Sequence, residues 1–283
     1  MKTFLLSGLL FALLAGSSAG VQAQTAPPKE NSGLEDSGGA DGPGGPGGPP
    51  RGWALGAGAV ASDSPYAGEG MRVQPIPLIS YQGEKFFFRG ITAGWQFIGN
   101  EAFELAAIAK LRFDGFDIDD LGRRELAANG LDARQLEDRD DSLDAGVTAQ
   151  WSGKAGELEI ELLADVTDTS GGQEFSIQYG YPLHWGQTMV TPNVGATWLS
   201  KDTANYYYGT LDEEVARGAI DYKPDAVTIP HVGVDVMHFF GEHWTMIAFL
   251  RYSVLPDELK DSPFLEPDSD GTASILIGIQ RSF

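Results

Sequence analysis

Glutamates stand at every second position in Glu157-Leu158-Glu159-Ile160-Glu161, and Asp165 keeps the same phase. A β-strand points alternate side chains to opposite faces. This spacing therefore gathers the carboxylates on one face and leaves Leu158, Ile160, Leu162 and Ala164 on the other. The same rule groups Asp144 with Gln150 in 142–151 and Glu174 with Gln178 in 173–181. Asn193, His231, Asp235 and Arg251 hold the matching phase further on. Lys110 and Arg112 join them when Phe103, Leu105, Ala107, Ala109 and Leu111 form the apolar face. The chemistry open to such a mixed-sign surface is ionic: ladders of paired charges, or a hydrated lining that favours cations. With both signs present, structural ion-pair networks are favoured over an open passage.

A second cluster lies in 114–144, which holds eleven carboxylates and four arginines. Asp114, Asp117, Asp119 and Asp120 offer hard oxygen ligands of the kind Ca²⁺ takes. Their spacing lacks the glycine that a calcium-binding EF-hand loop needs at its sixth position. A solvated acidic loop at the cell surface, where divalent cations bridge lipopolysaccharide, is the simpler reading, and no metal site is assigned. Enzyme motifs are missing too: there is no Gly-x-Ser-x-Gly, no His-Glu-x-x-His and no phosphate loop. His231 and Asp235 share a strand face but stand four residues apart, beyond direct hydrogen-bonding reach. No catalytic residue and no cofactor is expected. The chain has no cysteine, which removes disulfides and thiolate metal sites. A net charge of -21, from 40 acidic and 19 basic residues, argues against a nucleic-acid partner.

Positioning these side chains requires strands, and twelve segments read as such: 52–60, 72–81, 85–90, 91–98, 102–113, 142–151, 156–166, 172–181, 188–200, 227–238, 242–254 and 272–283. Most are about ten residues long, which suits a tilted strand crossing a bilayer. Connections alternate between short and long, except that 167–171 is short for an outside loop. The long ones, 114–141, 201–226 and 255–271, all fall on one parity. Short periplasmic turns, long outside loops and an even strand number describe a transmembrane antiparallel β-barrel with both termini periplasmic, placed in the outer membrane of a Gram-negative cell. A soluble β-sandwich also alternates, but has no reason to keep long loops to one end. The weak place is 85–98, where Phe86 to Ile91 leaves no obvious loop, so one long strand kinked at Gly90 stays open as an alternative. Tyr206, Tyr207, Tyr208, Trp185, Trp198 and Trp244 suit the aromatic girdles of such a barrel.

The flanks fit that placement. Lys2, the apolar run 4–14 and Val21-Gln22-Ala23 read as a signal peptide over 1–23. Residues 24–51 are rich in Gly and Pro and read as a disordered tether. The barrel then occupies 52–283. Phe283, on the apolar phase of Ile275, Ile277 and Ile279, is of the type that the barrel-assembly machinery reads as a terminal signal.

Several short motifs come in an ordered series. Gly56-Ala57-Gly58 is followed by Ser64-Pro65-Tyr66-Ala67-Gly68, Pro75-Ile76-Pro77 with Tyr81, and Phe86-Phe87-Phe88-Arg89-Gly90. Asn205-Tyr206-Tyr207-Tyr208-Gly209 precedes Asp212-Glu213-Glu214, and Leu259-Lys260-Asp261-Ser262-Pro263 closes the series. Together they resemble the MipA/OmpV family across 52–283. The resemblance implies an outer-membrane barrel acting as a scaffold or envelope-integrity protein, with a bridge between a murein hydrolase and a murein synthase as the implied partnership. A small-solute channel is the alternative, and a barrel enzyme of the outer leaflet a distant third. Outer-membrane lipid and lipopolysaccharide are the expected surroundings. The resemblance supplies no catalytic residues, and the tether at 24–51 falls outside it.

Overall fold

Strands with one apolar face and one charged face must put the charges somewhere wet or paired and the apolar faces somewhere dry. In this chain a closed sheet does both. The computed structural model describes residues 51–283; the expected signal peptide, and all of the tether except Arg51, lie outside the described residues. The strands are β1 (Gly52–Asp63), β2 (Met71–Gln82), β3 (Phe86–Arg89), β4 (Thr92–Gly99), β5 (Phe103–Arg112), β6 (Ser142–Gly153) and β7 (Gly156–Asp165). They continue as β8 (Gln173–Gly180), β9 (Leu183–Trp185), β10 (Thr188–Leu199), β11 (Val227–Phe240), β12 (Trp244–Val254) and β13 (Gly271–Ser282). Each pairs antiparallel with its neighbour, and β13 returns to β1 in register from Ala54↔Ser282 to Ser62↔Ser274, which closes the cylinder.

β8 and β9 both pair with β10 and form one stave broken at Pro182, so twelve staves make the wall. The break falls inside the segment read as a short connection, 182–187. Proline has no N–H to give the ladder. Pairing resumes beyond it, and the true turn shrinks to 186–187. The ambiguous 85–98 stretch is a hairpin, not a kinked strand. Arg89 pairs with Thr92 across a two-residue turn. Gly90 sits there at φ 60°, in the left-handed region where a residue with a Cβ is strained.

The outward face is apolar around the whole circumference: Val73, Leu162, Val232 and Ile277 are each more than half exposed. In water this would be an aggregation-prone surface; against hydrocarbon it is the stable arrangement. Trp53, Trp95, Trp151, Tyr181, Trp185 and Trp244 are exposed near the end where the chain termini meet. That is the place of an interfacial girdle. The two termini of the barrel are joined there by Phe283 N–H donating to Trp53 O at 2.9 Å. This is also the end with the short turns 83–85, 100–102, 154–155, 186–187 and 241–243. The long connections all leave from the opposite end.

Those long connections fold into a cap with its own core. They carry four short helices: α1 (Arg123–Ala128), α2 (Lys201–Tyr208), α3 (Asp212–Ala216) and α4 (Asp257–Lys260). Tyr66, Phe116, Leu126, Leu131, Tyr207, Tyr208, Leu259, Phe264 and Leu265 form one buried cluster drawn from four separate loops. Ser200 starts α2 by accepting the Thr203 N–H at 3.4 Å, which satisfies one of the donors that a helix start leaves unpaired.

Candidate functional site

The charged faces meet inside the cylinder in three groups. In the first, Arg112 on β5 donates from Nε to Asp144 on β6 at 2.8 Å. It also donates from Nη1 to Asp114 at 2.8 Å and from Nη2 to Glu174 on β8 at 2.5 Å. Lys110 Nζ donates to Glu161 on β7 at 2.9 Å. β5 is laddered only to β4 and β6, so a bond from β5 to β8 skips two staves and has to run as a chord through the lumen. Ser142 Oγ donates to the other oxygen of Asp144 at 3.0 Å. One guanidinium thus holds three carboxylates, and Lys110 and Glu161 sit beside them. All of these side chains are nearly fully buried. Buried charges are tolerable only when paired and hydrogen-bonded, and this arrangement meets that condition everywhere but at one oxygen of Asp114.

The second group spans the other side. Arg251 Nη2 on β12 donates to Gln178 Oε1 on β8 at 2.9 Å, and His231 Nε2 on β11 lies 3.3 Å from the same oxygen. In the third, Asn193 Nδ2 donates to Asp235 at 2.8 Å between neighbouring β10 and β11. Gln150, Glu159 and Gln178 sit side by side across β6, β7 and β8 in the ladder register, with Glu157 two residues nearer the turn end. Asp165 does something else. Its carboxylate accepts the N–H groups of Thr167 at 2.8 Å, Ser170 at 2.6 Å and Gly171 at 3.0 Å, and so ties the β7–β8 turn. Two inward cations were missed in the sequence: Arg72, on the inward phase of β2, and Arg89, which shares the inward phase of Phe87 and stacks on that ring at 4.2 Å.

The cap was also missed, and two readings of its residues need correction. Tyr206, Tyr207 and Tyr208 are no girdle. Tyr207 and Tyr208 are buried in the cap core, Tyr66 donates its hydroxyl to Tyr207 O at 3.0 Å, and the Tyr206 hydroxyl accepts the Asp140 N–H at 2.9 Å. Segment 114–144 keeps most of its carboxylates in solvent, as a surface loop would, but it is folded onto a core rather than free. Its carboxylates are distributed among arginines: Asp114 on Arg112, Asp119 on Arg123 at 2.8 Å and Asp120 on Arg72 at 3.5 Å. Between them Phe116, Ile118, Leu121, Leu126 and Leu131 point into the core.

At the centre of the cap, Arg139 and Glu214 form a fork-to-fork pair with both side chains fully buried: Nη1–Oε1 2.8 Å and Nη2–Oε2 2.9 Å. Every remaining polar position is used. Arg139 also donates to the carbonyls of Tyr206, Glu137 and Gly209, and Glu214 accepts the N–H groups of Glu137 and Leu211. The rings of Phe264 and Phe116 lie 5.3 Å and 5.7 Å from the guanidinium. The pair stitches 113–141 to 200–226. Asn129 Nδ2 then binds 255–270 through the carbonyls of Pro263 and Leu265.

Between cap and ion-pair belt lies a cavity of about 50 Å³ lined by Asp63, Arg112, Asp114, Glu174, Tyr208 and His231. It has room for a few water molecules and not for a solute. Asp114 lies just beyond β5 at this boundary. Burial pushes its carboxyl up to about 6, against the opposing pull of Arg112. Its Oδ1 is buried without a hydrogen-bond partner, as suits a group that the fold prefers protonated. Burial likewise raises Asp141, to about 6.

A family model described as MltA-interacting protein MipA matches residues 55–283. The MltA-interacting protein of Escherichia coli (strain K12) is 30% identical over 232 residues, covering 82% of this chain and 90% of that protein. The outer membrane protein OmpV of Vibrio cholerae serotype O1 is 20% identical over 214 residues, covering 76% and 80%. Among solved structures, the NanC porin aligns with a TM-score of 0.46 at 8% identity, over 81% of this chain and 100% of that one.

Proposed function

Because the chain belongs to the MltA-interacting protein family, we propose that it serves the outer membrane as a scaffold, a barrel closed at one end that holds a murein hydrolase, and through it a murein synthase, at its other end. The chain is an outer-membrane β-barrel, and its relatives carry that location in their names. One observation supports a scaffold over a channel. The capped end is filled twice over, by a packed apolar cap and by ion pairs that cross the lumen beneath it. A passage for solutes would need both to move. The short turns and the joined termini at 52 and 283 offer the docking face in this reading, which places them in the periplasm. No catalytic step is assigned to any residue.

The test has two arms. Crosslinked envelopes carrying the tagged full-length chain are expected to yield a lytic transglycosylase on isolation, and variants of the turns at 83–85, 154–155 and 241–243 to lower that yield. Repeated isolation without any murein enzyme would overturn the scaffold reading. In planar bilayers the refolded protein is expected to give no conductance steps, and regular steps would put a small-solute channel in its place.

A further inference from the structure

The pairing of β2 leaves part of the barrel wall unaccounted for. β2 is laddered to β1 along its full length, from Gly52↔Gln82 to Asp63↔Met71. On its other side β3 meets it only at Ser80, Tyr81 and Gln82, and the last bond is Gly90 N–H to Ile79 O at 3.0 Å. The chain then turns at Gly90-Ile91 and descends as β4. Across the hairpin, β5 climbs on: Leu111 N–H donates to Ile91 O at 3.1 Å, and the chain keeps pairing with the β6 side as far as the Phe116↔Arg139 bridge. At the hairpin β2 and β5 are three strand spacings apart, about 14 Å. Above it, among the described residues, no strand is laddered to this side of β2 from Met71 to Leu78, a stretch of roughly 20 Å or more along the strand.

A bare strand edge in hydrocarbon is costly, because its amides have no water to bond. This edge is built to lower that cost. The Ile79 carbonyl faces β3, so the odd-numbered residues of β2 turn their amides to the open side, and two of these are Pro75 and Pro77. They have no N–H, and they hinder another strand from completing a ladder there. The outward side chains along the edge are apolar and exposed: Met71 and Val73 at 72% and 67%, with Pro75, Pro77 and Ile79 below them. Leu111 stands exposed on the β5 side. The top is closed by Arg72, which bridges to Glu69 and to Asp120 of the cap. Behind the opening the inward residues are Gln74, Ile76 and Leu78, so this sector of the lumen is more apolar than the belt opposite.

We propose that the wall between β2 and β5, above the β3–β4 hairpin, is a side opening that admits an acyl chain of the surrounding lipid to the lumen. The apolar rim continues the lipid-facing belt, and that continuity names the occupant. The inference needs only the membrane location and stands apart from the scaffold reading.

The chain contains no cysteine, so single-cysteine variants are clean. Ile76→Cys and Gln74→Cys place a bimane fluorophore on the inward face behind the opening. Val73→Cys marks the lipid-facing side, and Thr197→Cys on β10 marks the inward face of the far wall. The full-length protein is reconstituted in phosphatidylcholine vesicles whose acyl chains carry bromine, which quenches on contact. Folding of each variant is checked by its electrophoretic mobility. Quenching at 74 or 76 is expected to reach at least half that at 73 and to exceed that at 197 at least threefold. Quenching at both inward positions no greater than at 197 would overturn the opening. So would protection of 73 itself together with thiol crosslinking into a dimer, since a second copy would then cover the edge.

Discussion

Replacing Arg139 by methionine tests whether the cap is a folded unit held from its centre. Methionine fills much of the apolar volume of the arginine stem but removes all of its donors. Glu214, fully buried, is left charged with no cation, and the carbonyls of Tyr206, Glu137 and Gly209 lose their partner. Breaking a buried pair from one side costs about 3–5 kcal/mol. Taking away the stranded charge as well, with Arg139→Met and Glu214→Gln together, restores much of that loss. The glutamine oxygen can still accept a backbone N–H, and no bare charge remains. The double variant is therefore expected to be less damaged than the Arg139→Met single, by about 2 kcal/mol. The assay is limited proteolysis of folded barrels, followed at cleavage sites within 201–216. Where the cap opens and closes faster than the protease cuts, the rate tracks the opening equilibrium. The single substitution then speeds cleavage between roughly a hundred-fold and a few thousand-fold, at tenfold per 1.4 kcal/mol. The wall strands should keep their circular dichroism throughout. Cleavage unchanged in Arg139→Met, or a double variant as damaged as the sum of the two singles, would refute a cap held together by this pair.

Three further outcomes follow from particular residues. The Asp114 carboxyl is raised to about 6 from 3.8, so its contribution to cap stability is complete below about pH 4 and lost as the pH rises through 6. Two units correspond to about 3 kcal/mol. Asp114→Asn should reduce, but not abolish, the fall of the urea midpoint of the cap tyrosine signal between pH 4 and 7, since Asp141 is raised likewise, and an unchanged pH slope would contradict the assignment. Gly94 faces the Phe87 ring so closely that an added Cβ would lie 2.2 Å from it. Gly94→Ala should then lower barrel stability by about 1–3 kcal/mol through overpacking, read as a lower temperature at which the folded electrophoretic band converts to the unfolded one; a stable Gly94→Ala barrel would mean that the ring moves freely. Arg112→Met leaves Asp114, Asp144 and Glu174 facing one another without their cation, and the same band shift should show a loss of about 3–5 kcal/mol, whereas a loss below 1 kcal/mol would argue that the belt is not a structural network.

The wall was legible in the sequence because its signal is local: side chains alternate within each strand, and every neighbour in the ladder except the closing pair β13–β1 is the next or previous segment. The hairpin at 86–99 was the hard case because its turn is only Gly90-Ile91, buried inside an apolar run. The belt was half legible. Phase alone puts Lys110, Arg112, Asp144, Glu161 and Glu174 on one kind of face, but nothing in the spacing says that Arg112 reaches across to Glu174. Asp165 shows the limit of phase, since the turn beside it claims its carboxylate. The cap was not legible. Its helices run four to eight residues, too short for a 3.6-residue period to stand out. Its centre joins Arg139 to Glu214 across 75 positions. Three consecutive tyrosines look alike whether they line an interface or fill a core.

The cap also bears on the order in which the protein can form. β1 and β13 are neighbours in the wall and the two most distant strands in the chain, so their ladder carries the largest loop-closure cost and the slowest kinetics. Tyr66, from the loop after β1, bridges Leu265, from the loop before β13, and Ala67 N–H donates to Phe264 O at 2.8 Å beside it. These contacts straddle the seam and extend its ladder into the cap. Burial of Tyr66 therefore goes with closure of the wall and works as a clasp over that join, tightening the place where the first and last strands of the chain meet.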